Sequence, residues 1–245
     1  MLYKNSKEQM NNSYLLEFLF IILTVASYIL GKYFYVKTKL MLLHTMIVAT
    51  ALVIVSLKLL NIDMHLYEQN TKLLRYLLNL SVVAFGYLLF KHYEYIKSRG
   101  IAIISATFIG SLAAIISVSA IAILFGAKYE IIVTLLPKSI TTPIAIVLSE
   151  QYGGVVSLTA VIVILAGIFG AVLGPWFLKL TGINSRLAKG LALGSAAHGI
   201  GTAKALEMGA LEGAAGGLAI GLTGLFTSIL MPIAVPLIKI VLFKI

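Results

Sequence analysis

The stretch SAAHGIGTAKALEMG, Ser195 to Gly209, gathers His198, Gly199, Gly201, Thr202, Lys204 and Glu207 inside a chain that is otherwise mostly apolar. A second stretch, LLPKSITTPIAIVLSEQYGG from 135 to 154, does the same with Lys138, Thr141, Thr142, Pro143 and Glu150. Both read as a loop, a threonine able to cap, a short helix, an acid and a glycine. Thr141 and Thr142 before Pro143 combine a threonine cap with a proline at the first helical position. They predict a helix from Pro143 to Glu150, stopped by Gly153 and Gly154. In the other stretch Gly199 and Gly201 are expected to interrupt the chain, and Thr202 to cap a short helix through Glu207 that Gly209 ends. Each cap would expose N–H groups at the positive end of a helix dipole. Lys138 lies just before one end and Lys204 just inside the other, and His198 adds a donor that titrates near neutrality. Two such ends facing each other would cradle a small anion, most naturally a carboxylate.

Plainer roles exist for the same residues. His198 could donate to a carbonyl of a neighbouring helix. Lys204 and Glu207, three apart on a helix, could pair with each other. Glu150, a candidate for coupling or structure, could cap the aqueous end of its segment. Ser139 and Gln151 are weaker candidates. No group of His, Asp and Glu has metal-binding spacing. GIGTAK lacks both the spacing and the preceding strand of a phosphate or dinucleotide loop, and no serine sits in a nucleophile elbow. No catalytic residue, cofactor or metal is assigned, and an enzyme is not expected.

The background that must position these residues is membrane-like. The chain has 245 residues, is 60% hydrophobic and only 11% charged, with a mean hydropathy of +1.02. A soluble domain is usually about a quarter charged. At roughly 20 apolar residues per crossing, the length allows about seven or eight membrane segments. The runs are continuous rather than alternating, which excludes a transmembrane barrel. The expected fold is all-α, a polytopic helical bundle in the lipid bilayer. The formal charge of +10 follows from lysines and arginines in short loops, where they fix orientation, so nucleic acid is not an expected partner. There is no cysteine, so disulfides and thiolate metal sites are excluded.

Four apolar runs, about 14–31, 40–60, 73–90 and 101–126, make residues 1–130 an N-terminal transmembrane half. The polar first residues lead into a first span expected to be retained, with no small-residue cleavage site. Glu17 and His44 lie near span ends and are expected to reach the interface. Residues 131–245 form a second half, with broken helices near 137–150 and 195–209, a clean span near 155–178, a Gly-rich final segment near 213–243, and all five prolines. Basic loops at 32–39 and 91–99 place those loops in the cytoplasm and the N-terminus outside. The loop with Lys179, Arg186 and Lys189 joins them there only if 131–150 dips in and returns. Two broken or re-entrant helices therefore fit best, and backbone of that kind is tolerated in a membrane only where it lines a protein or water-filled cavity. Gly213, Gly217 and Gly221 recur every four residues, as Gly167, Gly170 and Gly174 nearly do, and are expected to pack helices closely.

LLPKSITTPIA, SEQYGGVVSLTAVIVILAGIFGAVLGP and GLALGSAAHGIGTAKALEMGALEGAAGGLAIGLTG resemble the signature stretches of the LrgB/CidB family, densely from about Leu135 to Gly224. The resemblance implies a bacterial inner-membrane protein working with an LrgA/CidA-type membrane partner. Members are described as holin/antiholin-like modulators of murein hydrolase release and cell lysis. A chloroplast relative is described as a glycolate/glycerate translocator, and bacterial pairs have been linked to pyruvate uptake. The carry-over falls on Lys138, Thr141, Thr142, Pro143, Glu150, His198, Gly199, Gly201 and Thr202. In the first half, LNLSVVAFGYLLF (Leu78–Phe90) lacks the prolines of the family's GPATVALAxPLY-like motif, so Asn79 and Ser81 are not carried over.

Two expectations follow. One is a small-carboxylate transporter on an inverted-repeat scaffold, binding its anion at two interrupted-helix N-termini. The alternative is a non-transporting, antiholin-like regulator of autolysis, homo-oligomeric or paired with an LrgA/CidA-type protein. A pore is disfavoured, because no full-length span carries a polar stripe.

Overall fold

The structure is a computed structural model that describes residues 2–38, 40, 43–74, 76–77, 80, 87 and 90–243, with side chains from Tyr14 to Leu242 among these. Most of the expected span at 73–90, with Asn79 and Ser81, lies outside the described residues. Every regular element among the described residues is helical. Four helices are long and apolar enough to cross a membrane: Tyr14–Thr38, Gly100–Leu124, Val156–Leu180 and Ala210–Leu242. The contacts divide the chain into two units, Met1–Val82 and Val83–Ile245.

In the first unit, α1 (Leu2–Thr38) packs on α2 (Thr45–Leu59), followed by the short α3 (Met64–Gln69). Phe20, Val53 and Leu57 form its core. The backbones come close at Gly31, where a Cβ would stand 2.6 Å from the Thr45 carbonyl oxygen. The two ionisable residues flagged in this half serve the backbone. His44 Nδ1 accepts from the Met46 N–H at 3.3 Å at the start of α2, and Glu17 Oε1 accepts from the Leu73 N–H at 3.3 Å.

The second unit contains α4 (Tyr93–Lys97), α5 (Gly100–Leu124), α6 (Tyr129–Leu135), α7 (Thr142–Gln151), α8 (Val156–Leu180), α9 (Arg186–Met208) and α10 (Ala210–Phe243). α5 and α10 run parallel. Ile103 clusters with Ala214 and Ala215 near their starts, Phe108 stacks edge-on against Phe226 at 5.3 Å, and Ile115 and Ala122 cluster with Met231, Val235 and Ile238. α8 runs the other way.

Between these three long helices lie two helical hairpins. The first is α6, a loop and α7. Pro137 cannot donate to the Val133 carbonyl, so α6 stops; the Lys138 N–H turns back to the Leu135 carbonyl at 3.1 Å and the Ile140 N–H to the Pro137 carbonyl at 3.3 Å. α7 then starts at Thr142, one residue before the predicted Pro143, with extended Thr141 at its N-cap position and Pro143 in the first turn. It ends at Tyr152, followed by Gly153 at φ 82°. The hairpin closes on itself, for the Tyr129 hydroxyl donates to the Tyr152 carbonyl at 3.0 Å.

The second hairpin is α9 itself. Ala197 (φ −132°, ψ 19°) and His198 (φ 40°, ψ −130°) leave helical geometry and fold the helix back. The result is two arms of about ten residues, each about 15–16 Å long. Leu193 of the first arm therefore clusters with Ala205 of the second, and Arg186 at the base reaches Glu212 beyond the far end. The first arm packs on α10 through Gly190 and Gly194, and the second through Thr202 and Leu206.

Three corrections follow. The break lies at Ala197 and His198, one residue before the glycines expected to make it. Thr202 sits inside the second arm rather than at its start, so it is not a cap. The packing register on α10 also differs from the expected one. Gly213 does pack, with a Cβ there standing 2.6 Å from Leu206, but at Gly221 a Cβ would meet nothing within 4 Å. Gly216, facing Thr202 and Gly194, takes the role predicted for Gly221. Gly217 is half-buried.

The charges agree with this path. Lys97 and Arg99 precede α5, Lys179 ends α8, and Arg186 and Lys189 begin α9. The first hairpin leaves from and returns to the other end of the unit, so these basic residues gather at one end.

Candidate functional site

The tip of the second hairpin is held against the middle of α8. His198 is buried, 6% exposed, and its Nε2 lies 2.9 Å from the Val163 carbonyl. Since a carbonyl only accepts, Nε2 carries the proton. Gly167 makes room for the ring, because a Cβ there would stand 2.8 Å from Nε2. Gly170 faces Ala197 in the same way, and Gly174 faces Leu193. The glycine stripe of α8 is thus the bed of the hairpin, and the plainer role foreseen for His198 is the one it has. A non-glycine residue at φ 40° is strained by on the order of 1–3 kcal/mol. The Val163 hydrogen bond and the packed ring hold it there.

A cleft of about 540 Å³ opens between the first arm of this hairpin, α5 and the tip of the first hairpin. Lys138 and Ser139 line it from the first tip, Ser195 and Ala196 from the second, and Thr107 and Gly110 from α5. Most of the remaining wall is alanine. Among the described residues, Lys138 is its one cationic lining residue. Its Nζ donates to the Ser139 hydroxyl at 3.0 Å, and among the described residues no carboxylate pairs with it. A half-buried ammonium beside hydroxyls and methyl groups suits a small anion with a compact apolar part.

The other predicted residues are not among those lining this cleft. Thr141 and Thr142 are half-buried and Pro143 is exposed at the start of α7; Thr141 makes no side-chain capping bond. Gly199, Gly201 and Thr202 belong to the second arm and are not among the residues lining the cleft. Gly201 lets the second arm close on the Leu193 carbonyl of the first. Lys204 pairs with Glu207 at 2.8 Å, the local alternative. Glu150 is exposed at the base of the first hairpin. Thr107, Gly110, Ser117 and Ser195 are lining residues that the sequence reading missed. The small residues of α5 (Ala106, Gly110, Ala113, Ser117) recur at helical spacing, a signal that was available.

The Thr202 hydroxyl is fully buried and has no hydrogen-bond partner among the described residues. A dry, unpaired hydroxyl costs about 1–3 kcal/mol. Thr202→Val keeps the shape and removes the polar atom. It is expected to raise the midpoint of thermal unfolding in detergent by about 2–4 °C; a fall would mean the hydroxyl has a partner in the folded protein.

The comparisons with known proteins bear on this arrangement. A family model described as "LrgB-like family" matches residues 24–237. The chain belongs to the LrgB-like family. Among curated relatives, the "Uncharacterized protein YxaC" of Bacillus subtilis is 36% identical over 220 residues, covering 90% of this chain and 96% of the relative. The "Holin-like protein CidB" of Staphylococcus epidermidis is 32% identical over 224 residues, covering 91% and 98%. That of Staphylococcus aureus is 33% identical over the same length and coverage. No solved structure matches. Family membership and the four long apolar helices make this a multi-pass membrane protein of the holin-like LrgB/CidB type.

Proposed function

We propose that this member of the family carries small carboxylates of the pyruvate, glycolate and glycerate class across the bacterial inner membrane, with the anion held in the cleft between the hairpin tips. The observation that supports it most is the Lys138 ammonium, without a carboxylate partner among the described residues, in a cleft otherwise lined by hydroxyls and apolar side chains. On this reading the two hairpins are re-entrant. They enter from opposite faces, and each reaches about 16 Å in at most, half of a hydrocarbon core about 30 Å thick. The tips then meet near the midplane, where transporters built from inverted repeats place their sites. The basic end of the unit faces the cytoplasm. Lys138 supplies the charge and Ser139 and Ser195 supply hydroxyls. His198 anchors the tip that positions Ser195, rather than touching the anion.

The relatives called holin-like favour a second reading, a regulator of murein hydrolase activity and autolysis that acts with an LrgA/CidA-type partner and moves no solute. Uptake of labelled pyruvate, glycolate and glycerate into proteoliposomes separates the two. Transport predicts accumulation that His198→Ala weakens by loosening the tip. No uptake of any of the three from well-folded protein, with the LrgA-type partner added as well, would leave the regulator.

A further inference from the structure

In the first unit, a groove along α1 sets two cations beside an apolar floor. A cavity of about 370 Å³ is lined, among the described residues, by Ile29, Lys32, Tyr33, Val36 and Lys37. A helix turns about 100° per residue, so Ile29, Tyr33 and Val36 fall within about 60° of one another and make the floor. Lys32 and Lys37 stand on either side of it, about 140° apart. The Lys37 ammonium lies over the Tyr33 ring, 5.8 Å from its centroid, and so leans across the floor. Among the described residues neither lysine pairs with a carboxylate.

This is not the face that packs within the unit. α1 meets α2 through Phe20 and Gly31, on the opposite side of the helix from Ile29. Ile29, Tyr33 and Val36 are 60%, 58% and 55% exposed. Phe18, Ile22 and Val25 continue the exposed apolar face toward the start of the helix. From Phe18 to Ile29 is about 16–17 Å, close to the roughly 15 Å of hydrocarbon that one leaflet fills. Such a strip takes acyl chains of any lipid. The two ammoniums at its end, with a tyrosine between them at interface level, choose among headgroups. A phosphodiester with a net negative charge gains from both lysines. A choline headgroup brings its own cation to the same place and gains little.

We propose that this groove binds an anionic phospholipid, with the phosphate between Lys32 and Lys37 and the acyl chains along Ile29, Val25 and Ile22. The charge pattern places the basic 32–39 loop in the cytoplasm, so the lipid belongs to the inner leaflet. The site stands independently of the carboxylate reading.

Native mass spectrometry of the full chain in detergent tests it, titrating phosphatidylglycerol and phosphatidylcholine of the same acyl chains, with glycerol phosphate as the soluble counterpart. The wild type is expected to hold phosphatidylglycerol about ten- to thirtyfold tighter than phosphatidylcholine, since each lysine contributes about fivefold. Lys32→Gln with Lys37→Gln removes the preference; both side chains are exposed, so the fold is kept. Lys179→Gln, at the end of α8 and outside the groove, leaves the preference in place. Equal affinity of the wild type for the two lipids would overturn the site. So would an equal loss in Lys179→Gln, which would mean that basic charge in general holds the lipid. Glycerol phosphate displacing the lipid at equal concentration would make the ligand a soluble phosphate instead. A dimer that the double variant dissociates, with its lipid preference intact, would give the groove to a second copy of the chain.

Discussion

Proteoliposomes carrying Lys138→Met are expected to take up carboxylate about ten- to a hundredfold more slowly than the wild type. Among the described residues Lys138 is the one cation lining the cleft, and its Nζ donates to the Ser139 hydroxyl at 3.0 Å. A hydrogen bond to a charged group contributes about 1.5–3 kcal/mol, and each 1.4 kcal/mol is about a factor of ten. Methionine preserves the length and apolar stem of lysine while removing the charge, so packing is kept. The folded protein should be no less stable than the wild type, because a half-buried ammonium with no carboxylate partner among the described residues is removed. Initial rates at several substrate concentrations check this. Unchanged rates would place the anion elsewhere.

The second large effect concerns the fold of the hairpin. Gly194→Val should sharply reduce the yield of monodisperse protein and lower its thermal midpoint. A Cβ at Gly194 would stand 2.7 Å from the Gly216 Cα and 2.9 Å from its carbonyl carbon. Both obstacles are main chain, so no rotamer change relieves them and the first arm must move off α10. Overpacking of this kind costs about 1–3 kcal/mol, occasionally more. Gly221→Val is the control. A Cβ there meets nothing within 4 Å, so that variant should unfold like the wild type. Equal damage from both would contradict the packing of the hairpin on α10.

Much of this arrangement can be read from the residues, and the failures have identifiable causes. Pro137 and the Thr141–Thr142–Pro143 run mark the first interruption because proline removes a donor whatever surrounds it. The basic residues at 97–99 and 179–189 belong to one end, and that requires the chain from 131 to 150 to turn back. The second break was displaced to Ala197 and His198 because a tertiary bond decides it. Glycine is the expected residue at φ 40°, but the Val163 carbonyl and the space at Gly167 hold a histidine there. Local propensity carries no trace of a partner 35 residues away. Thr202 was misread for the same reason, since a break one residue earlier turns a cap into a mid-helix position. Lys204 and Glu207 show the reverse, where spacing alone named the pair that forms. The cleft wall on α5 was missed because alanine and glycine carry no chemistry of their own. They matter only once a lysine stands opposite.

The cleft can be interrogated through a single thiol, since the chain contains no cysteine. Ser195→Cys changes one oxygen to sulfur at the wall facing Lys138 and Ser139. The measurement is its alkylation rate in membranes, with and without saturating pyruvate, glycolate or glycerate. A carboxylate seated between the hairpin tips predicts labelling slowed several-fold by at least one of the three, and no protection once Lys138→Met is added. A labelling rate indifferent to all three acids, in protein whose thiol reacts freely, would contradict a carboxylate site in this cleft.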